Sequence, residues 1–259
     1  APSPQTHDMP EGVTVSASPI SSGALSRDDR RFGFRLTAPA GLILAVLLLV
    51  PTTLTILYSL HDVPANGRSL GPFVGLENYT IVLGSSVFWR SAKVTIIFSI
   101  GFVVFSTLIG LAMALLLNQR FIGRGLARAL LIIPWATPWL MIGILWKWFA
   151  DGSVGGLNAV LLMLGATSDY HDFLSDPNSA LAITIAAAVW RQASFAGILL
   201  LAGLQTLPDD LNEAASLDGA NLWQRFRNIT LPWLRPALVT VTVLNIIYAF
   251  LQFDVIFAM

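Results

Sequence analysis

The sequence contains no cysteine and few charged residues. Of its 259 residues, 12% are charged and 55% are hydrophobic, and 15 Lys and Arg balance 15 Asp and Glu. The lack of cysteine excludes disulfide frameworks, thiolate metal sites and cysteine nucleophiles. Soluble domains carry about a quarter charged residues, so the composition indicates a membrane protein. Zero net charge argues against a protein that binds nucleic acid.

Histidine is also scarce, and its three positions do not form a site. His7, His61 and His171 are isolated from one another, and none has a second metal ligand at a suitable spacing. The chain also lacks the G-x-x-x-x-G-K-[ST] loop that holds nucleotide phosphates. We therefore predict no catalytic site, no metal site and no cofactor in this chain.

Long apolar runs dominate the chain after its first part. Residues 1–30 are predicted to be a disordered cytoplasmic tail, because Ser, Pro, Thr and Gly prevail there. Runs of about 20 apolar residues then have the length of membrane spans. The five runs are 36–60, 92–117, 128–149, 181–207 and 236–258. The fold predicted for 31–259 is an all-α polytopic membrane bundle, and we expect a sixth span to follow Met259.

Positive charge is concentrated on one side of the predicted membrane. Ten of the fifteen cations lie in the tail and in the loops after the second and fourth spans: Arg27, Arg30, Arg31, Arg35, Arg120, Arg124, Arg128, Arg225, Arg227 and Arg235. The loop at 150–180 holds four aspartates and no cation. Loops rich in Lys and Arg stay in the cytoplasm. The sequence thus predicts a multi-pass protein of the cell membrane with a cytoplasmic N terminus.

The loop after the fourth span has the composition of two short helices. Pro208 and the acidic residues that follow suit a first helical turn, and Gly219 suits a left-handed helix end. A second short helix is predicted from Asn221, closed by Pro232 and Pro236. From these features alone, the loop could dock on a partner or lie on the lipid surface.

The residues of this loop resemble the EAA loop of binding-protein-dependent ABC importer permeases. They match in type and spacing over 24 residues: Glu213-Ala214-Ala215, Asp218-Gly219-Ala220, Phe226, Ile229, Leu231-Pro232 and Pro236. Further matches are similar to the carbohydrate branch, which includes maltose and glycerol-phosphate permeases: Gly75-Leu76-Glu77-Asn78-Tyr79, Ile133-Pro134-Trp135 and Phe253-Asp254. The resemblance implies the type I permease fold of ABC importers.

The resemblance also implies a role for residues 208–236, which we call the coupling loop. In that family it docks in a cleft of a cytoplasmic ATPase. The implied docking core is Glu213, Ala214, Ala215, Asp218, Gly219 and Ala220. The implied partners are a second permease subunit, two ATPase subunits that bind ATP and Mg²⁺, an external substrate-binding protein and the lipid bilayer.

Polar residues inside the predicted spans are candidates for a substrate path. Asn245, Tyr248 and Gln252 share one face of the fifth span, where they could either line a sugar path or form a polar helix contact. Arg191, beside Gln192, lies at a depth similar to that of Asp254, about 24 and 27 Å along their helices. These two charges could form a salt bridge, form a substrate gate, or reach outer water.

Tryptophan is concentrated in the third span. Trp146 and Trp148 fall at its outer end, where an interfacial belt is favoured over sugar stacking. Pro134 and Pro138 are expected to kink the inner half of this span.

The predicted function is that of a permease subunit that forms half of a path for a solute, most simply a carbohydrate. A permease for a non-sugar solute such as glycerol-phosphate is an alternative. A secondary transporter would require inverted repeats and proton-coupling carboxylates, and Asp254 is the single candidate. A membrane enzyme would require converging polar residues, which the sequence does not show.

Overall fold

The structure is a computed structural model that describes residues 27–64 and 70–259, and the all-α prediction is confirmed. The helices are α1 (Arg27–Ser59), α2 (Glu77–Gly84), α3 (Ser86–Asn118), α4 (Arg124–Ala136), α5 (Trp139–Phe149), α6 (Gly156–Met163), α7 (Pro177–Leu204), α8 (Asp209–Leu217), α9 (Leu222–Arg225), α10 (Leu231–Leu251) and α11 (Asp254–Ala258). Within these residues four helices are long and apolar enough to span a membrane, or five if the bent pair α4 and α5 counts as one span.

The chain divides into two units, Ala1–Gly84 and Ser85–Met259. Most of the predicted tail, residues 1–26, lies outside the described residues, and residues 27–30 form the first turn of α1. The first predicted span is thus the later part of a longer helix of 33 residues.

The connection from α1 to α2 in the first unit is held by hydrogen bonds. Asn78 Nδ2 donates to the carbonyl oxygens of Ser59 and His61 at 3.0 and 2.9 Å. The Tyr79 hydroxyl lies 2.8 Å from Ser59 Oγ. The last carbonyls of a helix have no partner inside it, so this part of the Gly-Leu-Glu-Asn-Tyr motif caps the first span.

In the second unit, α3 and α7 pack closely through small residues. A Cβ atom on Gly110 would lie 2.6 Å from the Ala196 Cβ atom and 3.0 Å from the Gly197 nitrogen. Two helix backbones approach this closely only where side chains are nearly absent, as is common in membranes. The pair forms the centre of the unit, and α4, α5 and α10 pack around it.

Two apolar clusters run along this helix pair. One contains the fully buried Phe102 of α3 together with Ala249 of α10. The other contains Leu200 of α7 and Val241 of α10. Because lipid is as apolar as leucine, these clusters hold the helices by close packing more than by exclusion of water.

The third predicted span, 128–149, is not one helix. It divides into α4 and α5, which meet at an angle of 98°. Thr137 and Pro138 lie between them in extended conformations. Proline lacks an N–H and disfavours the helical conformation of the residue before it, so the predicted kink is confirmed as a complete break.

The second helix of the coupling loop does not end at its prolines, contrary to prediction. Helical structure continues from Leu222 to Leu251 through a π-helical turn, Phe226–Thr230. Pro232 lies in the first turn of α10, and Pro236 lies inside it. The wider π turn leaves room for the proline ring that would crowd a regular α-helix.

The fifth predicted span, 236–258, is also interrupted. The helix ends at Leu251, Gln252 is extended, and α11 begins at Asp254. Val255 of α11 is fully buried. Its backbone lies close to Gly143 of α5, because a Cβ atom added to Gly143 would be 3.0 Å from the Val255 carbonyl oxygen. The continuous helix from which the depth of Asp254 was predicted is therefore wrong.

The loop before α7 is ordered by side chains that cap backbone groups. Asp176 accepts hydrogen bonds from the backbone N–H groups of Asn178 and Ser179, both at 3.0 Å. These bonds, chiefly that from Ser179, lower the pKa of the Asp176 carboxyl. The buried Asn158 side chain bonds to the backbone of both Asp151 and His171, so α6 is tied to the loop that follows it.

The close contact of α3 with α7 predicts the effect of one added methyl group. Gly110→Ala should lower the free energy of unfolding by about 1–3 kcal/mol, because the helices must separate. Gly125→Ala is the matched control, since a Cβ atom on Gly125 meets nothing within 4 Å. Thermal unfolding of the purified protein in detergent measures both, and equal midpoints would contradict the packing described.

Candidate functional site

The coupling loop begins with α8 and turns sharply at Gly219. The Ala220 nitrogen donates to the Ala215 carbonyl at 2.9 Å, and the Gly219 nitrogen donates to the Ser216 carbonyl at 3.2 Å. Gly219 has a φ of 76°. This is the Schellman pattern, which requires a left-handed residue after the helix and favours glycine there. The predicted helix and its glycine end are confirmed.

The second helix of the coupling loop starts with a reciprocal cap. The Asn221 side chain accepts from the Gln224 backbone nitrogen at 2.9 Å, and the Gln224 side chain accepts from the Asn221 nitrogen at 2.8 Å. Such a capping box satisfies two backbone donors at once. Both helix ends at the turn are therefore closed by local bonds, which makes the turn rigid.

The coupling loop exposes apolar side chains. Leu217, Leu222 and Trp223 are 89%, 77% and 65% exposed. Of the predicted docking core, Glu213, Ala214, Asp218 and Gly219 are also exposed, whereas Ala215 and Ala220 are half-buried. An exposed apolar helix edge with small neighbours is suited to the groove of a partner.

Polar contacts that sequence reasoning missed join helix ends in and beside the coupling loop. Trp233 Nε1 donates to Thr206 Oγ1 at 3.2 Å, which joins α10 to the end of α7. Arg128 donates to the Leu117 carbonyl at 3.1 Å, which joins α4 to the end of α3. Arg120 and Asp209 form an ion pair of 3.9 Å at exposed positions, which contributes little.

Two of the predicted path residues, Gln192 and Asn245, form a buried polar contact between helices. Gln192 Nε2 donates to Asn245 Oδ1 at 2.8 Å, and Asn245 Nδ2 donates to Thr107 Oγ1 at 3.1 Å. These bonds connect α7, α10 and α3. Asn245 is fully buried, so it lies in the polar helix contact that the sequence left open as an alternative. A role for these two residues in the path stays a prediction.

Arg191 does not pair with Asp254 in the described part of the chain, so of the three alternatives for these charges the salt bridge is excluded. Its Nε donates to the Thr137 carbonyl at 3.0 Å. Its guanidinium carbon lies 4.0 Å from the centre of the Trp139 ring, a cation–π contact. Asp254 is exposed at the start of α11. Thr137 and Trp139 can contact Arg191 because the third span is broken between α4 and α5. No spacing in the sequence indicates these contacts.

Tyr248 belongs to a row of aromatic side chains on three helices. Its ring contacts Phe195 edge-on at 6.1 Å, and Phe195 stacks with Trp135 at 6.3 Å. Tyr248 is 37% exposed. The hydroxyl and the adjoining ring faces together could bind both the hydroxyl groups and the C–H faces of a sugar.

Gln252 lies apart from Tyr248, in a groove of about 620 Å³ between α3, α7 and α10. Arg90, Lys93 and Thr184 also line this groove. The predicted stripe of three residues is therefore divided: Asn245 lies inside the bundle, Tyr248 joins the aromatic row, and Gln252 faces the groove.

The tryptophans of the third span also take different positions. Trp146 is half-buried and its ring lies 6.3 Å from that of Trp190. Trp148 is exposed, which is compatible with the interfacial position predicted for it.

In the described residues no group of three or more Asp, Glu or His side chains could hold a metal ion.

The spans, the internal breaks and the exposed coupling loop define a multi-pass membrane transport component. The family described as "Binding-protein-dependent transport system inner membrane component" matches residues 106–257, and the chain belongs to it. The match covers the coupling loop and every predicted path residue. The resemblance inferred from the coupling loop is thereby confirmed.

Several named relatives share most of this chain. It is 39% identical over 232 residues to the trehalose/maltose transport system permease protein MalF of Thermococcus litoralis, covering 89% of this chain and 77% of the relative. It is 34% identical over 221 residues to the sn-glycerol-3-phosphate transport system permease protein UgpA of Agrobacterium fabrum, covering 84% and 73%.

A solved structure confirms the fold of an ABC importer permease. A bacterial ABC transporter involved in the import of the acidic polysaccharide alginate superposes with a TM-score of 0.73 and 22% identity, covering 86% of this chain and 75% of that chain. Another crystal structure, with a TM-score of 0.68, shows an alginate transporter with a periplasmic protein bound to an alginate pentasaccharide.

The polar helix contact generates a prediction about stability. Gln192→Leu and Asn245→Leu should each destabilise the bundle, and a double-mutant cycle should give an interaction energy of about 1 kcal/mol. Gln192→Leu combined with Thr240→Val is the control, because Thr240 bonds within its own helix. Unfolding in mixed micelles measures the cycle, and additive effects of the first pair would contradict a direct bond.

Proposed function

We propose that this chain is one of two membrane subunits of an ATP-driven carbohydrate importer. The observation that carries the proposal is the coupling loop, in which a rigid turn between two helices presents apolar side chains outside the bundle. A rigid element can transmit displacement to the spans that flank it. Membership of the binding-protein-dependent family supports the same role.

A separate cytoplasmic ATPase is the proposed partner of the coupling loop. Two ATPase subunits would bind ATP and Mg²⁺, while this chain would hold no cofactor. The proposed docking core comprises Glu213, Ala214, Ala215, Asp218, Gly219 and Ala220. The exposed Leu217, Leu222 and Trp223 extend that surface and would enter an apolar cleft.

The proposed orientation places the N terminus and the coupling loop in the cytoplasm. Ten of fifteen cations lie in segments that would face this side. The Arg120–Asp209 ion pair joins the loop after α3 to the start of α8, which supports the grouping of these two loops on one side.

Carbohydrate is the proposed solute, because relatives carry names of sugar systems. The trehalose/maltose relative is more identical to this chain, at 39%, than the glycerol-phosphate relative, at 34%. Tyr248 and its aromatic neighbours would form part of the wall of the path, with Arg191, Gln252 and Asp254 as further candidates. Gln192 and Asn245 would hold the helices behind this wall.

Two further partners complete the proposed transporter. A second permease subunit would close the path, because the spans of one chain leave one side open. An external substrate-binding protein would deliver the solute, as the periplasmic protein in the alginate transporter complex supports.

Reconstituted transport tests the proposal directly. We expect proteoliposomes that contain the complete complex and its binding protein to take up a disaccharide only when ATP is present in the compartment that the ATPase subunits face. Uptake that a proton gradient drives in this chain alone would instead indicate a secondary transporter.

The rigid turn of the coupling loop predicts the effect of two substitutions. Gly219→Pro cannot adopt the φ of 76°, and Glu213→Lys reverses a charge in the docking core. Each should reduce transport-coupled ATPase activity about tenfold, or prevent co-purification of the ATPase. Gly165→Pro is the control, since Gly165 also has a positive φ but lies before α7. Normal uptake with both coupling-loop variants would refute this role.

The aromatic row predicts a second effect on transport. Tyr248→Ala should lower uptake about tenfold while assembly persists, and Tyr248→Phe should retain more uptake because the ring is kept. Gln252→Leu should lower uptake through the loss of a hydrogen-bonding group. Ile247→Ala, at an exposed neighbouring position, serves as control. If all three variants behave like that control, these residues do not line the path.

A further inference from the structure

Arg191 lies halfway along a membrane-spanning helix. It is 14 residues from the first residue of α7, Pro177, and 13 residues from the last, Leu204. At 1.5 Å per residue, each end is about 20 Å away. A charge at that depth is costly and requires strong local partners. In the part of the chain that the structure describes, no carboxylate lies within ion-pair distance of Arg191.

Two contacts of Arg191 are with residues at the break in the third span. The Thr137 carbonyl, which accepts from Nε at 3.0 Å, belongs to the residue directly after α4. The Trp139 ring, 4.0 Å from the guanidinium, begins α5. Carbonyl groups at a helix end lack a partner inside the helix. One side chain of α7 therefore binds both sides of a 98° bend.

Arginine is specific for this double contact. Its planar guanidinium can stack on an indole ring while a fixed N–H points to a carbonyl oxygen, and the ammonium of lysine cannot do both in the same way. One turn further along α7, Phe195 stacks with Trp135 of α4 and contacts Tyr248 of α10. The same face of α7 thus contacts the bend and the aromatic row.

We infer that Arg191 is a positioning residue that holds the bend between α4 and α5 against α7, so that motion of the coupling loop reaches the wall of the path. The inference rests on the proposed function, because it concerns how that transporter moves. α7 runs without interruption to Leu204, and four residues separate it from α8. Displacement of α8 would therefore move Arg191 and Phe195 with α7.

The chain has no cysteine, so paired labels can measure the bend without changing native thiols. Cysteines at Ile132 of α4 and Ile144 of α5, both exposed, carry spin labels in the assembled importer in lipid nanodiscs. The unsubstituted Arg191 protein should give one narrow distance distribution. Arg191→Gln and Arg191→Lys should broaden it or shift it, and Trp139→Leu should have a smaller effect because the carbonyl bond remains.

Transport supplies the second measurement. Solute imported per ATP hydrolysed should fall about fivefold in Arg191→Lys, because weakened attachment lets ATPase turnover proceed without the full motion. Lys147→Gln is the matched control, since Lys147 is an exposed cation of α5 and should change neither the distances nor the coupling.

The outcomes distinguish the positioning role of Arg191 from the proposed function of the transporter. Unchanged distances in Arg191→Gln and Arg191→Lys overturn the positioning role, and so do changed distances with unchanged solute imported per ATP. If Arg191→Gln does not assemble, Arg191→Lys and Trp139→Leu decide by the same criteria. A lack of ATP-driven uptake by the unsubstituted complex contradicts the proposed function instead, and the label distances still decide whether Arg191 holds the bend.

Discussion

The close packing of α3 on α7 is the constraint on which the rest of the second unit depends. Gly110 brings the two backbones so near that there is no room for a Cβ atom. At this separation Gln192 can reach Asn245, and Asn245 can reach Thr107. In a bilayer, where apolar surfaces gain little by meeting, such contacts of small and polar groups determine which helices associate. The close packing and the polar contacts together join α3, α7 and α10.

Interruptions of helices then determine where polar chemistry lies. The third span breaks beside Pro138, α10 ends before Gln252, and the coupling loop contains a π-helical turn before Pro232. Each interruption frees backbone groups, which must be satisfied inside the protein. Arg191 satisfies one of them at the first break. The unbroken α7 leads from this region to the coupling loop, so one continuous helix lies between two interrupted segments.

Local chemistry explains which features the sequence could predict. The apolar lengths predicted the spans, and Gly219 predicted the end of α8, because both depend on neighbouring residues only. Pro134 and Pro138 predicted a kink, although not its size. The continuation of α10 past Pro232, the Asn78 cap and the contact of Trp233 with Thr206 could not be predicted, because each depends on a group distant in the chain or on a turn that relieves a steric conflict.

By itself the sequence determined the class of fold, the approximate spans and the coupling loop, because hydrophobic length, charge asymmetry and turn chemistry are local properties. Only the tertiary structure decided which polar residues meet. Of the predicted stripe, Asn245 lies in a helix contact, Tyr248 in an aromatic row and Gln252 in a groove. Asp254 lies on a separate helix and does not pair with Arg191. The physical reason is that a single extended residue at the end of a helix changes the direction of the chain after it. Helical spacing in the sequence does not indicate where such a change occurs.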